Sequence, residues 1–271
     1  MKAANITHQD SCKVRVHKQE AKILRQSLQN RITHWGIALS CFVLIFSGIL
    51  QMPISKRYML NELPLMGWSG DYHISLIVHY LGAAALLFFV FLHLSFHVSR
   101  REFDILPQKG DVKKSLQIMK AMIFDGEEPP SGKYLPEQKL AYVGIGGVIL
   151  LLVITGVVKT FKNLAGFNLS DGVYFWSAQL HNLGLILLIL GIIAHLGAFI
   201  FKPNRKLLPS MFSGKVEREY ATHRHGLWDF EAESTKDSSE INTSKKVAGS
   251  ADSVAESKAE ATDKTLQDFW R

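Results

Sequence analysis

Cysteine is nearly absent from this chain: 271 residues hold two, Cys12 and Cys41. Two thiols cannot build a disulfide framework, and neither stands in the C-x-x-C-H pattern of covalent haem attachment. Iron–sulfur clusters held by this chain alone are excluded too, because they need more thiolates. Charge is missing from four long stretches. Ile32–Met52, His73–Ser99, Leu140–Val158 and Val173–Phe201 contain no Asp, Glu, Lys or Arg. The same absence argues against a proton-coupled transporter, whose relay usually needs intramembrane carboxylates. A leader peptide is also missing from the expectation. Residues 1–31 are polar and basic, and no small-residue cleavage pattern follows the first apolar run.

Each of the four runs meets the roughly 20 residues that hydrocarbon requires. A soluble core helix rarely stays uncharged for so long, so the sequence predicts an all-α, integral membrane four-helix bundle. The net charge of +7 is confined to the connections. Seven Lys and Arg lie in residues 1–31, seven in 99–138 and six in 202–225. The connection 53–72 carries only Lys56 and Arg57, and the loop after the third span only Lys159 and Lys162. The positive-inside rule then predicts cytoplasmic termini and a cytoplasmic middle connection. Topology accounts for the basic balance without a nucleic-acid partner.

The expected organisation is a cytoplasmic basic arm over 1–31, and a membrane domain over 32–201 with its cytoplasmic connection at 100–139. A juxtamembrane segment over 202–232 and a disordered tail over 233–271 follow. The tail is rich in Ser, Thr, Lys, Glu, Asp and Ala and too poor in apolar residues to offset the cost of ordering. A short helix is expected near Asp111–Phe124, with a break at Glu127–Gly132. No internal repeat is read from the sequence.

The chemistry lies in the histidines. Imidazoles in a membrane span are costly and functional by default. His181 and His195 lie fourteen residues apart on one run, so they share a helix face at levels about 21 Å apart. Depth follows from topology. His34 and His195 fall near the cytoplasmic face, His79 and His181 near the outer face. Two pairs of inward-facing imidazoles at two depths suit two haem irons, one above the other. His93 rivals His34 for the inner position, since it follows His79 by the same fourteen residues, and His97 lies deeper. Glycine follows His34, His79, His181 and His195 within two or three residues but does not follow His93. A macrocycle needs small neighbours, which favours His34. His73 is expected at the interface, and His8, His17, His223 and His225 at the surface.

Several motifs carry a resemblance. Asn30-Arg-Ile-Thr-His34-Trp35 with Ser47-Gly48-Ile49 resembles the first helix of the cytochrome b, or gamma, subunits of respiratory membrane-bound formate dehydrogenases. Gly132-Lys-Tyr134-Leu-Pro-Glu-Gln138-Lys139 resembles a loop of that family, and Thr155-Gly156-Val157 the end of its third helix. Met211-Phe-Ser-Gly214-Lys-Val216 and His223-Arg-His225-Gly-Leu-Trp228 resemble its close. The likeness runs over about residues 25–232. Nickel–iron hydrogenase and thiosulfate reductase subunits share the His-Trp opening and give an alternative assignment, as does a haem-bearing anchor without quinone chemistry.

The resemblance implies a bundle with two b haems, ligated by His34 and His195 at the inner level and by His79 and His181 at the outer. It implies electrons arriving from an iron–sulfur subunit, fed by a molybdenum or tungsten catalytic subunit, and leaving to menaquinone at the cytoplasmic side. The quinone would lie near Tyr134 and Gln138. Leu135 stands where the family has Asn, which removes a polar quinone contact. The chain is expected in the bacterial inner membrane, as a multi-pass electron-transfer subunit that does not itself act on formate.

Overall fold

The computed structural model describes residues 22–124, 126–164, 166 and 168–230. The expectations for the arm before residue 22 and for the tail from 231 lie outside the described residues. Four long helices dominate: α1 (Leu28–Leu50), α2 (Tyr72–Arg100), α4 (Pro136–Phe161) and α5 (Asp171–Gly197). A shorter α3 (Asp111–Phe124) lies between the second and third spans, and α6 (Arg218–Arg224) follows the fourth. The helices outrun their apolar stretches because polar caps start them. The Ser27 hydroxyl accepts from the Asn30 N–H ahead of α1, and the Asp71 carboxylate accepts from the His73 N–H ahead of α2. Proline at the first position opens α4, where its missing N–H costs nothing. The fourth span was expected to run to Phe201. Its α-helix ends at Gly197 and tightens into a 3₁₀ turn over Ala198–Ile200, ahead of a single-turn helix at Lys202–Arg205.

The distribution of side chains is that of a protein whose solvent is lipid. Phe88, Phe91, Leu190 and Ile193 are all more than half exposed on the helix surfaces. The buried positions of the spans include Ser40, Ser47, Ser75, Thr155 and Ser177. Small and hydroxyl-bearing residues let helices approach and hydrogen-bond, which is what drives association where apolar burial drives little. Gly82 and Gly184 show the closeness. A Cβ on Gly82 would stand 3.1 Å from Val43 Cγ1, and one on Gly184 2.9 Å from Leu152 Cδ2.

The spans form two hairpins, α1 with α2 and α4 with α5, which meet through a cluster centred on Cys41, Leu86 and Leu188. The hairpins repeat each other. Ser75, His79, Gly82, Leu86, Val90 and His93 of α2 recur 102 positions later as Ser177, His181, Gly184, Leu188, Ile192 and His195 of α5. Leu44, Ser47 and Gly48 of α1 recur 108 positions later as Leu152, Thr155 and Gly156 of α4. This is a correction to the sequence reading, which found no repeat. Lipid-facing residues differ freely between the hairpins, so only the buried register carries the signal.

At one end of the bundle the connections pack into a cap. Lys22–Leu24 pairs antiparallel with Lys215–Glu217, and the Gly214 carbonyl accepts from the N–H groups of Arg25 and Gln26. Gly214 has a φ of +80°, and a Cβ there would stand 2.7 Å from the Gln26 carbonyl oxygen. Trp35 Nε1 donates to the Met211 carbonyl at 2.9 Å, and Arg31 donates to that of Phe212. Arg224 is buried on α6 and donates to Glu128, Asn204 and Tyr220. His225, expected at the surface, is only 1% exposed, and its Nδ1–H donates to the Gly132 carbonyl at 2.7 Å. This cap contains most of the described Lys and Arg and forms the basic end of the bundle. Beyond Leu227 a separate unit begins, of which Trp228, Asp229 and Phe230 are described, with the Trp228 and Phe230 rings edge to face.

Candidate functional site

Two imidazole pairs bridge the hairpins. His79 of α2 and His181 of α5 have ring centres 6.3 Å apart. His34 of α1 and His195 of α5 have ring centres 6.3 Å apart as well. A metal ion binds an imidazole nitrogen at about 2.0–2.1 Å, and that nitrogen lies about 1.1 Å from its ring centre. Two imidazoles on opposite sides of one ion therefore have centres about 6.3 Å apart. Both pairs have a ring-centre separation that would let one metal ion lie between them.

The hydrogen bonds around His79 and His181 also assign their protons. The Ser47 hydroxyl lies 2.7 Å from the Val43 carbonyl and 2.9 Å from His79 Nδ1. A hydroxyl has one proton, and a carbonyl can only accept, so Ser47 donates to Val43 and accepts from His79 Nδ1–H. Thr155 repeats the arrangement. It donates to the Leu151 carbonyl at 2.7 Å and accepts from His181 Nδ1–H at 2.8 Å. Each imidazole thus keeps the lone pair of Nε2 for a metal, and the hydroxyl behind it fixes the ring and strengthens it as a donor. These two hydroxyls were not singled out from the sequence. The available signal was their place in the repeat, each followed by a glycine.

Glycine explains less than expected about ligand choice. A Cβ on Gly36 would clash with Phe89, and Gly82 and Gly184 accommodate side chains of the neighbouring helix. The glycines against imidazoles are Gly48 and Gly156, whose Cβ atoms would stand 3.6 and 3.4 Å from Cε1 of His79 and His181. What separates His34 from His93 is the company each keeps. His93 Nε2 lies 3.0 Å from the Tyr142 hydroxyl, and its ring centre lies 4.3 Å from that of His97.

No cluster of three or more His, Cys, Asp or Glu poised for a metal occurs among the described residues. Two trans imidazoles alone make a poor site for a bare ion. Each pair would supply two imidazole nitrogens to the iron of a bound haem. The donor chemistry, the spacing and the small residues at Gly48 and Gly156 all fit haem.

Gln138 and Tyr134 sit together at the start of α4. The Gln138 side-chain oxygen accepts from the Leu135 N–H and from Arg25, each at 3.2 Å, which makes it part of the helix cap. Arg25 also donates to the Lys133 carbonyl and lies over the Tyr134 ring, 5.7 Å from its centre. Leu135 is fully buried.

Residues 25–214 match the family described as prokaryotic cytochrome b561. The nitrate-inducible formate dehydrogenase cytochrome b556(Fdn) subunit of Escherichia coli K12 is 28% identical over 226 residues, 80% of this chain and 96% of that one. The formate dehydrogenase cytochrome b556 subunit of Haemophilus influenzae Rd is 22% identical over 213 residues, 77% of this chain and 83% of that one. The family match spans all four helices and both imidazole pairs. The chain therefore belongs to the prokaryotic cytochrome b561 family, as a multi-pass bacterial membrane protein that binds haem b.

Proposed function

We propose that the chain is the dihaem cytochrome b subunit of a respiratory formate dehydrogenase. In this reading it carries electrons from an iron–sulfur subunit at the outer face, through two b haems, to menaquinone near the cytoplasmic face. The observation that carries the proposal is the double occurrence of imidazole rings 6.3 Å apart, at two levels of one bundle. The names and coverage of the relatives support formate dehydrogenase as the parent complex, with a molybdenum or tungsten subunit as the site of formate chemistry.

The orientation follows from charge. The basic end gathers most of the described Lys and Arg, which supports a cytoplasmic position for it. In this reading His34 and His195 lie at the inner level and His79 and His181 at the outer. Bound haem supplies one-electron chemistry; the residues of this chain hold it and set its surroundings. His79 and His181 offer Nε2 because Ser47 and Thr155 take the Nδ1 protons. The central cluster of Cys41, Leu86 and Leu188 excludes water between the levels. An electron moving fully inward works against the membrane potential at about 2.3 kcal/mol per 100 mV. The quinone takes its place at the start of α4, where Tyr134 and Gln138 offer polar edges beside the buried Leu135.

The test is haem stoichiometry with kinetics. The purified full-length protein should contain two haems per chain with a low-spin, six-coordinate spectrum, and a menaquinone analogue should reoxidise them. One haem per chain would reject the dihaem reading. Haems indifferent to quinone would reduce the chain to an anchor.

A further inference from the structure

The equivalence between the hairpins has a second product at the inner level. It exchanges α1 with α4 and α2 with α5, so it turns His79–His181 into itself. It turns His34–His195 into Tyr142–His93. Tyrosine thus stands where an imidazole stands in the other hairpin. Its ring centre lies 5.9 Å from that of His93, with Nε2 and the hydroxyl 3.0 Å apart. Behind this pair is His97, one turn on along α2, with its ring centre 4.3 Å from that of His93. His97 Nδ1–H donates to the Glu102 carbonyl at 3.0 Å, beyond the end of α2 at the basic end. That bond leaves His97 Nε2 as the ring nitrogen free of the proton in the neutral ring. Tyr142 itself lies one helical turn past Gln138, on the same face of α4. A line of exchangeable groups thus runs from the surface of the basic end to the next turn inward from the proposed quinone residues. The titratable groups facing the pair are His97 on α2, His34 on α1 and Tyr134 ahead of α4.

We propose that Tyr142 and His93, with His97 behind them, form the relay that delivers protons to the quinone. The proposal rests on the quinone-reducing reading above. Reduction consumes two electrons, which the external donor of the complex supplies, and two protons. At each transfer the Tyr142 O–H bond breaks as a new O–H bond forms on the reduced quinone oxygen. Tyr142 regains a proton from His93 Nε2–H, and His93 is recharged from solvent through His97. The net change is quinone to quinol, with every protein group restored. A general acid in such a place typically contributes about 10²–10⁴-fold.

The experiment uses the full-length, haem-loaded protein as wild type, Tyr142→Phe, His93→Gln and His93→Gly. Chemically reduced haems are mixed with a menaquinone analogue, or with ferricyanide, which takes electrons without protons. The relay requires at least tenfold slower reoxidation by quinone in all three variants, ferricyanide rates at the wild-type value, and full haem content. Added imidazole should restore His93→Gly. The reduced-minus-oxidised infrared spectrum should carry tyrosine and histidine bands that Tyr142→Phe and His93→Gln remove. Wild-type quinone rates in the variants would overturn the relay while leaving quinone reduction intact. Loss of a haem in Tyr142→Phe or His93→Gln would also overturn it, by making the pair part of a haem site. If quinone fails to reoxidise wild type, the underlying function falls first and takes the relay with it.

Discussion

His93 and His195 occupy one register of two repeated hairpins, 102 positions apart, and face different partners. His195 has the ring of His34 at 6.3 Å between centres, whereas His93 has the Tyr142 hydroxyl at 3.0 Å. The His79–His181 level is symmetric under the repeat and the His34–His195 level is not. One hairpin interface offers two imidazoles to a metal, and its counterpart offers an imidazole and a phenol that can share a proton.

The pairing makes ligand loss selective. His195→Ala and His34→Ala should each leave one haem per chain by pyridine haemochrome, with the remaining haem still low-spin. His93→Ala should leave two. Retention of both haems in His195→Ala would reject the inner pair.

The hydroxyls behind the outer imidazoles should tune that level alone. Ser47→Ala and Thr155→Ala remove the hydroxyl acceptor of an Nδ1–H and leave only the backbone bonds to Leu44 and Leu152, which makes the ring a poorer donor and weakens metal binding by up to about 10–100-fold. A poorer donor favours ferrous iron, so the potential of a haem held by His79 and His181 should rise while that of one held by His34 and His195 stays. Thr155→Ser, which keeps the hydroxyl, should behave as wild type. Potentiometric titration distinguishes the two levels, and equal shifts in both would contradict the assignment.

Gly214 should tolerate no side chain. Its φ of +80° places alanine in the left-handed region, and the Gln26 carbonyl stands 2.7 Å from where the Cβ would be. The conformational strain alone costs about 1–3 kcal/mol. Gly214→Ala should lower the detergent melting temperature and expose the 22–31 segment to protease at the basic end. An unchanged protease pattern would show that this strand pairing is dispensable.

Acid should loosen the same cap. Burial pushes the His225 imidazole down to about 4, from an ordinary value near 6.5. The folded state therefore binds its proton less readily than the unfolded state. The contribution of neutral His225 is complete above about pH 6.5 and is lost as the pH falls toward 4, at most about 3 kcal/mol. Thermal melts in detergent should show a decline over that window. In His225→Gln, which keeps a donor for the Gly132 carbonyl, the decline should flatten. A slope identical to wild type would assign the acid sensitivity elsewhere.

Much was legible in the chain itself, because each reading rested on local chemistry. The four spans follow from uncharged runs, since a charged side chain in hydrocarbon is too costly to hide. The α3 helix at Asp111–Phe124 follows from its pattern and flanking breaks. His225 was misread because its burial depends on Ser131 and Gly132, more than ninety positions earlier, folding over it. The glycines beside the histidines meet other neighbours than expected for a related reason. A glycine beside a histidine in sequence points to whichever neighbour the bundle supplies, and for Gly36 that neighbour is Phe89.

Length, hydropathy and the placement of charge thus determined that the chain spans a membrane and which of its histidines lie within the spans. Topology already pointed to His34 with His195 and His79 with His181; only the tertiary structure decided that His93 meets Tyr142, and that Ser47 stands behind His79 and Thr155 behind His181. A helix fixes the direction of a side chain about its own axis, and local sequence is enough for that. The partner it reaches depends on how two hairpins dock, and docking is set by close packing of small residues far apart in the chain.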